Sequence, residues 1–66
     1  MGFKANLYGL MQKNNVNSYK LAKSVGVHVS TVTNWLNGSN PKIEHLRSLS
    51  VFFGIPVDEI LKEDTK

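Results

Sequence analysis

The sequence predicts an all-α domain of five short helices, and three observations carry that expectation. Apolar residues recur three and four positions apart in five separate stretches, the period of a helix buried on one face. Glycine stands at the end of three of these stretches, at Gly26, Gly38 and Gly54, where helices commonly close with a positive φ. With 66 residues and no cysteine, the chain can build one small core and has no disulfide to brace it. Helix packing alone must hold it.

The first helix is expected from Gly2 or Phe3 to Lys13 or Asn14. Phe3, Leu7, Leu10 and Met11 follow the i, i+4, i+7, i+8 pattern of one apolar stripe. Lys4 and Lys13 fall off that stripe, in solvent. Asn14-Asn15 breaks the helix, and Val16 points inward. Ser18 is read as the hydroxyl cap of a second helix, Tyr19 to Val25, whose inward face is Leu21, Ala22 and Val25. Gly26 ends it, and Val27 plugs the turn that follows. A third helix starts near His28 or Val29 and runs to Asn37, with Val32, Trp35 and Leu36 inward. Gly38 stops it.

Asn40 before Pro41 is read as the cap of a fourth helix, with proline at its first position. That helix runs to about Phe53, with Ile43, Leu46, Leu49 (or Ser50) and Phe53 inward. Gly54 ends it and Ile55 turns back into the core. Pro56 opens a last helix, Val57 to Lys62, with Asp58 and Glu59 where acids suit the helix dipole. Ile60 and Leu61 cover the bottom of the core. Residues 1–62 thus form one domain, and Glu63 to Lys66 a polar, frayed tail.

Helix, glycine turn, helix over residues 17–38 is the plan of the DNA-binding helix-turn-helix, whose second helix enters the major groove. The same glycine and apolar faces would also serve an ordinary αα-hairpin. The spacing of Leu21-Ala22, Gly26-Val27, Val32, Trp35 and Asn37-Gly38 resembles the phage repressor and Cro family, the XRE type. The resemblance extends from about Phe3 to Leu61. It implies a five-helix lambda-repressor-like domain and a sequence-specific regulator of transcription, a repressor or Cro-like protein of phage or prophage. It also implies an operator in double-stranded DNA, an inverted repeat bound by a weak homodimer or by two copies that pair on DNA, and the absence of cysteine suits a reducing cytoplasm.

One departure from that family is informative. Its members often pair an Arg late in the first helix with a Glu near the end of the recognition helix. Met11 and Leu36 stand at those positions here. Replacing both partners of a buried ion pair with apolar groups is tolerated, whereas losing one is costly. Met11–Leu36 is therefore expected as a core contact.

Base reading needs outward groups on the third helix, about residues 28–37. Its outward candidates are His28, Val29, Ser30, Thr31, Thr33 and Asn34. By the resemblance, Val29, Ser30 and Asn34 align with the usual base-reading positions, and Thr33 shares their face. No Arg or Lys lies there, so guanine readout is disfavoured. Asn suits adenine, and Val or Thr methyls suit the thymine methyl. DNA-backbone contacts are expected from Asn17, Ser18 and Tyr19 at the start of the second helix, and from Ser39, Asn40 and Lys42 before the fourth. His28 and Thr31 add to them at the recognition helix. Phe52 and Val57 form a small apolar patch, with Val51, read either as a dimer contact or as a covered extension of the core.

The net charge is +3, unevenly spread: residues 1–57 carry six Lys/Arg against Glu44 alone, and residues 58–66 carry four acids and two lysines. A basic body suits a polyanion. His28 and His45 lie 17 residues apart with no further ligand at a matching spacing, so no metal or cofactor is expected. His45 is read as an exposed surface residue. No carboxylate pair, activated nucleophile or phosphate-cradling glycine loop points to an enzyme. Nor does any apolar run reach membrane-spanning length, so no membrane partner is expected. The Gly2 start lacks the Ser or Thr of a myristoylation signal, Asn6 standing there instead. The competing reading is an anti-repressor or antitoxin-like module that uses the same fold to bind a protein.

Overall fold

The structure, a computed structural model, describes residues 2–62. Five helices follow one another: α1 (Gly2–Lys13), α2 (Ser18–Val25), α3 (Val29–Leu36), α4 (Ile43–Phe53) and α5 (Val57–Leu61). This is the expected all-α, five-helix, lambda-repressor-like arrangement, with the helix-turn-helix at α2–α3. The expectation of a frayed tail at 63–66 lies outside the described residues.

One core joins all five helices. Phe3, Leu7 and Met11 come from α1, Leu21 and Ala22 from α2, Val32 and Trp35 from α3, Leu46 and Leu49 from α4, and Ile60 from α5. Among the described residues no polar or charged side chain is buried. The core is therefore purely apolar, worth about 1.5–3 kcal/mol for each fully buried large side chain. Phe3 and Trp35 meet edge to face, 6.1 Å between ring centroids, and pin α1 to α3. Leu10 is only half-buried, at the margin of the α1 stripe. Val16, Val25, Val27 and Ile55 are half-buried side chains packed against the core, as their spacing required.

Each helix junction has a chemical cause. Asn15 takes φ 56, and the Val16 N–H then bonds the Met11 carbonyl at 2.9 Å. Asparagine is among the few non-glycine residues that tolerate that left-handed backbone. Gly26 takes φ 79 and its N–H bonds the Ala22 carbonyl, closing α2 and setting the tight turn into α3. A Cβ at Gly26 would meet nothing within 4 Å, so glycine is needed there for backbone conformation alone.

The structure corrects two helix starts. α2 begins one residue earlier than expected, and its cap is Asn17, not Ser18: the Asn17 side-chain oxygen accepts from the Lys20 N–H at 2.8 Å. The amide oxygen of Asn17 reaches the free donor of the first turn, and Ser18 becomes the first helical residue. α4 begins two residues later than expected, with Lys42 as a cap residue that makes no side-chain cap bond. Pro41 remains in the connecting loop and Asn40 caps nothing. As a result Ile43 is 63% exposed rather than inward. His45 takes the inward place that Ile43 was expected to fill, and its side chain is only 25% exposed.

Met11 is buried and Leu36 is half-buried against the core. Leu36 shares a shallow apolar depression with Lys4, Ala5 and Tyr8 of α1.

Candidate nucleic-acid interface

α3 is one eight-residue helix with two faces. Val32 and Trp35 are buried, while Val29, Ser30, Thr33 and Asn34 are exposed. That division follows from the spacing, since the inward pair lies three apart and the outward four occupy the remaining arc. The four base-reading candidates therefore share one solvent-facing surface. They differ in freedom. The Thr33 hydroxyl donates to the Val29 carbonyl at 3.1 Å, leaving it mainly as an acceptor and methyl donor of contact surface. The Asn34 side chain is exposed, while its backbone carbonyl accepts from the Asn37 and Ser39 N–H groups at 3.0 and 2.9 Å. Those two bonds fold the loop after α3 back beneath Asn34. Gly38, at φ 112, makes that reversal possible.

The fold-back brings the second set of candidates next to the first. Thr31, Asn34, Ser39, Asn40 and Lys42 line one shallow notch of about 290 Å³, together with Trp35 and His45. Asn34, Ser39, Asn40 and Lys42 are exposed there, and Thr31 is half-buried. The notch lies between the recognition surface and the start of α4. Lys42 is the only lysine, arginine or carboxylate lining it among the described residues.

The remaining candidates sit at helix starts. His28 precedes α3 in extended conformation, exposed, with no side-chain cap bond. Asn17 and Tyr19 are exposed at the start of α2, and Ser18 is half-buried. The Asn17 side-chain oxygen is already committed to the Lys20 N–H, so only its amide N–H₂ remains free to donate outward. Phe52 and Val57 are half-buried and packed against the core, and Phe52 also meets Phe53 edge to face at 5.0 Å. Val51 beside them is 83% exposed. The patch is thus divided: Val51 stands in solvent and Phe52 is partly covered.

Reading the sequence as exposed surface at His45 missed a member of the notch. The signal was present. His45 lies one position before Leu46 and four before Leu49, inside the inward stripe of α4. Its imidazole sits against the Trp35 ring, 5.7 Å between centroids and tilted by 55°. Among the described residues no group of three or more His, Cys, Asp or Glu could hold a metal ion. No helix among them is long and apolar enough to cross a membrane.

Residues 7–60 match the model of a protein family described as helix-turn-helix. The chain also superposes on the crystal structure of a transcriptional regulator from Listeria innocua, with a TM-score of 0.85 and 26% identity over 97% of this chain. It spans 61% of that protein's length. A search of curated proteins finds no match.

Proposed function

The chain belongs to the helix-turn-helix family, and from that premise we propose that it is a sequence-specific DNA-binding regulator of transcription acting in the cytoplasm. The observation that carries this reading is the outward face of α3: four exposed residues, Val29, Ser30, Thr33 and Asn34, on a helix whose other face is buried. Such a helix can enter a major groove without disturbing the core. Asn34 is suited to adenine through a bidentate pair, and the methyls of Val29 and Thr33 to thymine. Ser30 completes the reading surface. The likeness to a transcriptional regulator supports the same role.

We assign the duplex backbone to a second set of groups. Asn17, Ser18, Tyr19 and His28 lie at the starts of α2 and α3, and Thr31, Ser39, Asn40 and Lys42 line the notch before α4. We favour a repressor or Cro-like role of phage type, with two copies on an inverted repeat.

Selection of bound duplexes from a random pool, followed by a salt titration of the winner, tests the reading. An enriched A·T-containing motif with a salt-sensitive complex is the expected result. Absence of enrichment, with binding no tighter than to unselected DNA, would overturn sequence-specific recognition and favour an anti-repressor or antitoxin-like module that binds a protein.

A further inference from the structure

The notch between α3 and the start of α4 contains an ionisable side chain that the interface described above does not use. The His45 ring sits 5.7 Å from the Trp35 ring between centroids, tilted by 55°, and its Nε2 is 4.0 Å from the exposed Glu44 carboxylate. That separation is too long for a hydrogen bond. Lys42 lines the same notch three residues earlier. Resting on the DNA-binding reading, we propose that His45 is a proton-linked phosphate contact. As an imidazolium it joins Lys42 as a second cation toward one phosphodiester of the duplex, so that DNA affinity rises as pH falls.

The surroundings decide the sign. Imidazole is the side chain that ordinarily changes charge between about pH 5 and 8. α3, which supplies Trp35, has no ionisable residue between Val29 and Leu36. Glu44 and Lys42 are the charged groups beside His45. An imidazolium here and the Lys42 ammonium would repel each other. A phosphodiester seated between Lys42 and His45 offsets that repulsion, so the proton is held more firmly in the complex than in the free protein. By linkage, the protonated protein then binds DNA more tightly. His28 is a second exposed histidine on this interface, so the test must separate the two.

The experiment measures binding to a 16-base-pair duplex of random sequence by fluorescence anisotropy at pH 5.5 and 8.0, at fixed ionic strength. The proteins are wild type, His28→Gln, His45→Phe and His45→Gln. Phenylalanine keeps a flat ring on Trp35, and glutamine keeps polarity without titrating. Wild type and His28→Gln are each expected to bind more tightly at pH 5.5, with about fivefold of the gain belonging to His45, the size of one exposed ionic contact. Both His45 variants should lose that portion. Binding that is equal at the two pH values, or a pH dependence unchanged in the His45 variants, overturns the proposal and leaves the DNA reading intact. No binding at either pH overturns both. Proton NMR of the wild-type His45 ring gives a second readout that needs no variant. Its titration midpoint should move to higher pH when the duplex is added, and an unmoved midpoint rejects the contact.

Discussion

Asn6 ties the first helix to the last: its side-chain amide donates to the Ile60 carbonyl at 2.8 Å and to the Lys62 carbonyl at 2.6 Å. These carbonyls lie at the end of α5, where helical acceptors have no partner within the helix. α5 is only five residues long and could not persist alone. Its place therefore depends on packing Ile60 and Val57 against the core and on this one amide.

Asn6→Ala removes both bonds and leaves the carbonyls to water. We expect a loss of about 1–2 kcal/mol in a urea melt, the cost of two modest hydrogen bonds. Asn6→Asp should be at least as damaging, because a carboxylate cannot donate to a carbonyl. A melt in which Asn6→Ala matches wild type would show that α5 is held by its apolar contacts alone.

The cap of α2 gives a sharp comparison between neighbours. Asn17→Ala should cost about 1 kcal/mol, because the Lys20 N–H loses its acceptor. Ser18→Ala should cost less, since Ser18 is a helical residue and alanine is the better helix former. Equal losses in thermal melts, or a larger loss at Ser18, would place the cap where the sequence alone put it.

That cap shows what was legible in the sequence and what was not. Helix faces were legible because Leu7, Leu21, Val32 and Leu49 each sit in a periodic apolar set, and all four are fully buried. The ends closed by glycine were legible because Gly26 and Gly54 need a backbone that other residues resist. The helix starts were not, because Asn17 and Ser18 both have capping chemistry and only geometry chooses between them. Asn40-Pro41 failed for a different reason. The loop after α3 is used to fold back on the Asn34 carbonyl, which delays α4 to Ile43. Asn6 was missed because its partners, the Ile60 and Lys62 carbonyls, are distant in sequence, and His45 because the inward place it takes on α4 was given to Ile43. The base-reading face followed from the burial of its opposite side.

Asn34→Ala should weaken specific binding by about 1–3 kcal/mol while barely changing non-specific binding, because a bidentate adenine contact carries discrimination. The side chain is exposed, and the loop bonds at this position use the backbone carbonyl, so folding should be unaffected. Lys42→Ala should instead weaken specific and random DNA alike and lower the salt slope by roughly one unit. Competition assays at several salt concentrations separate the two. Equal loss on both DNAs for Asn34→Ala would remove it from the base-reading set, and an unchanged salt slope would remove Lys42 from the backbone set.

The last prediction concerns assembly on DNA. One recognition helix covers only a few base pairs, so a single copy has limited specificity. Two copies on half-sites about one helical turn apart, roughly 34 Å, would overcome that limit. The patch of Val51, Phe52 and Val57 is small and only partly exposed, well below what a stable free dimer needs. We therefore expect a monomer in solution and cooperative pairing on an intact operator, where the first bound copy raises the effective concentration of the second. Titrations compare the selected operator with one half-site, for wild type, Val51→Ser and Phe52→Ser. Phe52→Ser will cost some stability, since Phe52 packs on Phe53 and the core. The ratio of affinities for operator and half-site cancels that loss, because the same folded fraction enters both. Wild type should bind the operator as two copies and more tightly than the half-site, and both variants should lower the ratio. A one-to-one complex no tighter on the operator would reject pairing. Cooperativity unchanged in both variants would place the pairing surface elsewhere than on this patch.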